Sequence, residues 1–158
     1  MNPSRRRKKA DLENLKEGEE SENCRACINM QDLLSNTSLI KNRNDCPLDS
    51  SELGRYSWGF LHTLAAYYPN KPSVEDKLNM KTFVDLFARY YPCIHCASDF
   101  QEEVKKSPPT VESRSSLSQW FCDQHNIVNK KLGKSQFDCN RVLERWRDGW
   151  SDGRCDIK

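Results

Sequence analysis

What this chain of 158 residues lacks narrows its possibilities first. No apolar run comes near the roughly 20 residues that a membrane-crossing helix requires, so no membrane span is expected. The N-terminus lacks the apolar stretch of a secretory signal. Asp11, Glu13, Glu17, Glu19 and Glu20 argue against an acid-poor transit peptide. The formal net charge is only +2, too small to make nucleic acid the partner of the whole chain. Basic residues crowd at one place alone, Arg5-Arg6-Arg7-Lys8-Lys9. There is no strand-like alternation, no internal repeat and no glycine-rich dinucleotide loop. Hydrophobic residues at 36% and charged residues at 30% still allow one core under a polar surface.

Cysteine is what the chain does have. There are eight: Cys24, Cys27, Cys46, Cys93, Cys96, Cys122, Cys139 and Cys155. The number is even, and two pairs have C-x-x-C spacing. A reducing cytosol keeps such residues as thiols or metal ligands, so the count points to an oxidising compartment or a metal site.

The chain divides in two. Residues 1–44 read as a polar tail, basic and then acidic, with few apolar anchors and a composition that favours disorder. Cys24-Arg25-Ala26-Cys27 lies in it, and a cysteine pair on a mobile segment can travel. Residues 45–158 carry helical patterning. Asp49, Ser50 and Ser51 offer N-caps for a first helix ending at Pro69, with Leu53, Trp58, Leu61, Leu64 and Ala65 as its apolar stripe. A second helix starts near Ser73, with Glu75 and Asp76 in its first turn. Its stripe is Met80, Phe83, Val84, Phe87 and Tyr91. Pro92 stops it and opens a third helix at Cys93-Ile94-His95-Cys96, which Ser107-Pro108-Pro109 closes. A fourth runs from about Glu112 to Leu132, with Gly133 as its stop. A short fifth helix follows Asp138 and carries Val142, Leu143 and Trp146. The expected fold is all-α, a four-helix bundle with a short fifth helix.

Cys93-Ile94-His95-Cys96 is the strongest local signal. A C-x-x-C at a helix N-terminus gains from the positive end of the dipole, which stabilises a thiolate. A protonated His95 would add to that. The pattern alone leaves a reducible redox disulfide, half of a zinc site and a structural staple all open. Zinc is weakened because the other C-x-x-C is distant and lies in the tail, whereas zinc ribbons space their pairs roughly 15–20 residues apart. No metal site is therefore expected.

Two helix faces suggest a ligand. On the fourth helix Cys122, His125, Asn126, Asn129 and Gly133 share one side, while Leu117, Phe121, Val128 and Leu132 form the core stripe. A solvated face is usually Lys and Glu; neutral His and Asn suit a bound heterocycle. On the first helix Gly54-Arg55-Tyr56-Ser57-Trp58 and His62 set a cation, a hydroxyl and rings within about two turns. Such a set can stack on a ring system and hold a phosphate, although a core Trp beside a satisfied His is the plainer reading. Lys130, Lys131, Lys134 and Arg145 add candidate cations for a diphosphate, although each lysine taken singly is more often plain surface.

Taken in order, Gly54-Arg55-Tyr56-Ser57-Trp58, Leu61-His62-Thr63, Tyr91-Pro92-Cys93-Ile94-His95-Cys96, the run Cys122 to Lys134 and Trp146-Arg147-Asp148-Gly149-Trp150 resemble the ERV/ALR family of FAD-linked sulfhydryl oxidases. The likeness runs from about Cys24 to Asp156. It implies a disulfide-stapled bundle with FAD bound at its mouth. It implies that Cys93–Cys96 is the disulfide beside the flavin, with Cys96 nearer the ring and Cys93 exchanging with incoming thiols. Cys24–Cys27 would be the shuttle, delivering electrons to Cys93–Cys96 of the other subunit. Cys122–Cys139 would be a structural disulfide, and Cys46 and Cys155 would pair between subunits of a homodimer. The FAD contacts it implies are Gly54, Arg55, Ser57, Trp58, His62, Cys122, His125, Asn126, Asn129, Lys130, Lys134, Arg145 and Trp146. The implied substrate is a protein dithiol such as the disulfide carrier of the mitochondrial intermembrane space. The implied acceptors are oxygen, giving hydrogen peroxide, and cytochrome c. The implied location is that intermembrane space, with room for a second, cytosolic pool. His95 departs from the pattern, since this position often holds other residues in the family. A stapled signalling factor and a zinc adaptor are the rival readings.

Overall fold

The computed structural model describes residues 46–156; the tail 1–44 and its Cys24–Cys27 pair lie outside the described residues. Among the described residues there are helices and no strands. They are α1 (Ser50–Ala66), α2 (Val74–Tyr90), α3 (Ile94–Lys106) and α4 (Arg114–Lys131), followed by a 3-10 turn (Cys139–Arg141) and a π-helical turn (Glu144–Asp148).

Each long helix begins where a side chain can satisfy its orphan amides. Asp49 caps α1 by accepting from Ser51 N and Glu52 N, both at 2.9 Å, and Glu52 returns a bond to the Asp49 amide. Ser73 with Asp76 and Ser113 with Ser116 make the same reciprocal box on α2 and α4. Cys93 caps α3 through its sulfur, so that helix starts one residue later than the motif suggests. Ser113 likewise sets the start of α4 at Arg114 rather than at Glu112.

The helices pair as α1 with α4 and α2 with α3, and the final turns lie against α1 and α4. Leu61, Ala65 and Tyr68 meet Val84, Val104, Val111, Leu117, Trp120 and Phe121 in one core, with Trp58, Met80, Phe83, Phe87 and Phe100 packed on its edge. Truncating a ring such as Phe121 in a core of this kind costs about 3–5 kcal/mol. Polar side chains tie the loops to this core: Trp120 Nε1 donates to Ser107 O at 3.0 Å and Arg114 Nε to Tyr68 O at 2.9 Å.

Two expectations change. Leu132 does not belong to the core stripe of α4: it is the C-cap residue, 61% exposed, because the helix stops at Lys131 and Gly133 turns the chain with φ 66°. The short fifth helix exists, but it is wound first as a 3-10 and then as a π turn. That winding carries Trp146 across to α1, as described next.

Candidate functional site

The site begins at the N-terminus of α3. Cys93 and Cys96 are joined in a disulfide with Cα atoms 5.2 Å apart, and the Cys96 amide points at the Cys93 sulfur, 3.4 Å away. The pair thus lies where the dipole favours a thiolate over a thiol. Cys93 is only 2% exposed, whereas Cys96 is exposed. Exchange at the Cys93 sulfur therefore needs an approach that uncovers it. His95 is exposed between the two cysteines.

The chain enters this corner through Tyr91, and Ser57 on α1 donates to its hydroxyl at 3.3 Å. Ser57 also lies 2.6 Å from Leu53 O, so its proton is shared between the helix and the corner. Burial pushes the Tyr91 phenol above its ordinary pKa, and the bond from Ser57 pulls the other way. The sequence places Tyr91 in the stripe of α2 and at the head of the Tyr91-to-Cys96 motif, and the structure makes it the C-cap of α2. It is also the strut between α1 and the redox corner.

Behind the disulfide stands a wall of rings. Phe100, one turn after Cys96, meets Trp58 edge-on at 6.1 Å between centroids. Trp58 stacks on His125 at 4.3 Å with 2° between planes, and His62 stacks on Trp146 at 4.8 Å with 13°. The two stacks are joined by a bond between His62 Nε2 and His125 Nδ1 at 2.9 Å. Three separate elements converge here: α1, α4 and the π turn.

Both imidazoles are held neutral. Burial first, then the neighbouring His125 and Arg145, lowers His62 to a pKa of about 3. Burial first, then Lys134, lowers His125 to about 4. In the unfolded chain both would titrate near 6.5. Between that value and the folded ones the unfolded state binds more protons, so falling pH favours unfolding. Stability is accordingly expected to be full above pH 6.5 and to decline as pH falls towards 4. The melting temperature measured from pH 7.5 to 4.5 checks this, and His62→Gln with His125→Gln should flatten the slope. Of the two ring nitrogens outside the His62–His125 bond, His62 Nδ1 is buried without a hydrogen-bond partner. A buried polar atom left unpaired costs about 1–3 kcal/mol, which a bound donor or acceptor would recover.

Cations rim the wall. The Arg145 guanidinium lies 4.6 Å over the Trp146 ring, and Lys130 and Lys134 are exposed around the end of α4. Lys134 is held there by its amide, which donates to Asn129 O at 2.8 Å. Arg55, Trp58 and His62 follow each other along one face of α1. Parallel rings, an unpaired buried nitrogen and a cationic rim suit a planar heterocycle that carries phosphates. The described residues hold no group of three His, Cys, Asp or Glu side chains that could bind a metal ion. They also hold no helix long and apolar enough to cross a membrane.

The last staple joins Cys122 to Cys139, Cα atoms 5.8 Å apart. Asn126 braces the same loop: its amide nitrogen donates to Phe137 O and its oxygen accepts from Phe137 N, both at 2.8 Å.

Residues 55–147 match the Erv1 / Alr family. This chain belongs to that family. It is 48% identical over 106 residues to the mitochondrial FAD-linked sulfhydryl oxidase ERV1 of Saccharomyces cerevisiae, covering 67% of this chain and 56% of that protein. It is 43% identical over 107 residues to the FAD-linked sulfhydryl oxidase ERV1 of Arabidopsis thaliana, covering 68% and 56%. The matches thus span only about half the length of these curated relatives. The crystal structure of the yeast Erv1 core superposes with a TM-score of 0.67 at 46% identity, over 71% of this chain and 95% of that one. The FAD binding domain of yeast Erv1 gives 0.64 at 48% identity, over 66% and 100%.

Within the Erv1/Alr frame the expected residues sort by what they touch. Trp58, His62, His125 and Trp146 form the ring wall. Arg145, Lys130 and Lys134 form its rim, and Arg55 and Asn129 flank it. Ser57 reaches Tyr91, Asn126 is occupied with the loop at Phe137, and Gly54 has open space where a Cβ would stand. Cys46 and Cys155 are free and exposed, and the structure does not bring them together within one chain. The positive φ of Gly149, 80°, folds the C-terminal turn back so that Cys155 packs against that glycine.

Proposed function

We propose that this chain is an FAD-dependent thiol oxidase that makes disulfides in protein dithiols. One observation supports it most: the Cys93–Cys96 disulfide caps the helix that, one turn after Cys96, sets Phe100 edge-on against Trp58 of the ring wall, so redox pair and heterocycle site share one end of the bundle. The wall suits the flavin system, His62 Nδ1 offers it a polar partner, and the rim of Arg145, Lys130 and Lys134 suits the diphosphate.

The protein's own residues carry the thiol chemistry. A substrate thiolate attacks the Cys93–Cys96 bond, forms a mixed disulfide with Cys93 and releases Cys96 as a thiolate. The second substrate thiol displaces Cys93, and the substrate leaves as a disulfide. Two electrons then reside on the Cys93, Cys96 pair, with one proton on Cys93, the other released to solvent and Cys96 left as the thiolate. The helix dipole stabilises the Cys96 thiolate released next to the wall. FAD, when bound, supplies a two-electron acceptor that passes electrons to oxygen, giving hydrogen peroxide, or to cytochrome c.

Cys24 and Cys27 serve as the shuttle to Cys93–Cys96. A tethered pair is present at roughly millimolar effective concentration and can reach a bulky substrate. Cys24→Ser with Cys27→Ser is expected to spare oxidation of dithiothreitol and to slow oxidation of a protein dithiol strongly. Kinetics on both substrates decide it; equal losses on both would put the pair in the core site instead.

The working unit is a homodimer. Tyr56 and Phe60 on α1, Tyr67 at its C-cap, and Leu86 and Tyr90 on α2 are large apolar side chains left 48–70% exposed, which suits burial by a second copy. Cys46 and Cys155, both free and exposed, are its natural intersubunit pair. Wild type should run as a dimer on non-reducing gels and Cys155→Ser as a monomer with activity retained; a wild-type monomer would contradict the bridge. The relatives named as mitochondrial support a mitochondrial place, and within it the intermembrane space, where a disulfide carrier is the fitting substrate, is the compartment that suits the reading.

A further inference from the structure

A groove of 330 Å³ lies between the end of α2 and the outer face of α3. It is separate from the ring wall. Tyr91, Ile94, Ala97 and Gln101 line its floor. Gln101 is already fixed, donating to Ala88 O at 3.2 Å. Tyr91 and Ile94 bracket Pro92-Cys93, so the upper end of the groove opens beside the buried Cys93. Arg89 and Lys105 stand on its rim, both exposed. Neither takes part in an ion pair among the described residues, whereas their neighbours Lys106 and Lys131 are paired with Glu102, Glu103 and Asp99.

We infer that this groove is the docking track for the chain's own N-terminal segment, residues 17–28, and that Arg89 and Lys105 recognise its acidic run. The inference rests on the shuttle reading given above. The segment reads Glu17-Gly18-Glu19-Glu20-Ser21-Glu22-Asn23-Cys24-Arg25-Ala26-Cys27-Ile28. Its four carboxylates precede the cysteines, and its first apolar side chains follow at Ile28 and Met30.

The dimensions agree. From Ile94 to Lys105 along α3 is about 16 Å at 1.5 Å per residue. Extended chain covers that distance in about five residues. With Cys24 at the disulfide, Glu19 and Glu20 come level with Lys105, and Glu22 comes towards Arg89 near the upper end of α2. The tether reaches. Ser57, which bonds Tyr91, is seven residues into α1, so the start of that helix is only about 10 Å along its axis from the redox corner. Residues 28–45 can span up to about 60 Å, so the segment is not confined to the groove of its own chain and can cross to that of the partner copy, as the shuttle reading has it. The same charges give the segment a direction, since a reversed strand would set Glu22 away from both cations.

Two measurements on the full-length protein test this. Zero-length carbodiimide coupling, mapped by peptide mass spectrometry, joins a carboxylate directly to an amine and needs no enzymatic activity. The expected product links Glu19 or Glu20 to Lys105. Coupling of the run only to Lys130, Lys131 or Lys134, or no coupling, would overturn the docking track. Arg89→Glu with Lys105→Glu leaves the core untouched, since both side chains are exposed. It should slow oxidation of a protein dithiol about tenfold, as reversal of steering charges does, and leave dithiothreitol oxidation unchanged. Adding Glu19→Lys, Glu20→Lys and Glu22→Lys should restore the rate. Equal slowing of both substrates, no slowing, or no rescue would contradict the inference. A wild type that oxidises neither substrate would sink the oxidase reading, while the coupling map would still decide the groove.

Discussion

Cys93→Ser is expected to bring thiol oxidation to background, a loss of about a thousandfold or more for small and protein dithiols alike. Serine cannot form the disulfide that a substrate thiolate must break, and no other described disulfide caps a helix beside the ring wall. Folding should survive the change. Serine is itself among the preferred N-cap residues, so the cap on α3 passes from a sulfur to a hydroxyl. Cys96→Ser should be equally inactive for the complementary reason, because it removes the leaving thiolate of the exchange. Oxygen consumption with dithiothreitol, read beside the far-UV spectrum, separates lost chemistry from lost fold. Near-normal turnover in either variant would remove the pair from its assigned role.

Breaking the Cys122–Cys139 bridge should cost about 2–5 kcal/mol, the usual loss for a native disulfide in a small domain. For a domain of this size that lowers the melting temperature by roughly 10–20 °C. The loop it closes has a sequence separation of 17, and its far side leads directly into the turn that carries Arg145 and Trp146. Cys139→Ser should therefore do two things at once. It lowers thermal stability, and it loosens the Trp146 ring from His62, so that retention of the bound chromophore on gel filtration also falls. Asn126 would still hold Phe137, which limits the damage to the segment beyond it. An unchanged melting temperature would mean that the bridge contributes nothing in solution.

Much of the bundle can be read in the sequence because its boundaries are local events. Asp49 with Glu52, Ser73 with Asp76, and Gly133 announce helix ends within a few residues of themselves. Leu132 misled because periodicity says which face a side chain would occupy, not whether the helix lasts long enough to place it there. The π winding of Glu144–Asp148 has no local signature. Trp146 is set by its stacking on His62, some eighty positions earlier, and only tertiary packing reveals that. The site divides in the same way. Trp58 and His62 share a face by spacing, as do Cys122 and His125. That the two faces meet as paired stacks, with one buried nitrogen unspent, depends on how α1 lies on α4. Asn126 was legible as a polar residue on the correct face, but its partner Phe137 lies across a loop. Tyr91 hid for the same reason: its hydroxyl answers to Ser57, not to its own helix.

In the proposed function, electrons from a thiol pass through Cys93–Cys96 to a flavin bound at the ring wall. A visible spectrum of the purified full-length protein, taken without oxygen before and after dithiothreitol, tests that claim most directly. The protein should be yellow as isolated, its flavin band should bleach on addition of the dithiol, and readmitted air should restore the band with formation of hydrogen peroxide. A folded but colourless protein, or a flavin band that dithiol leaves unchanged, would contradict the account.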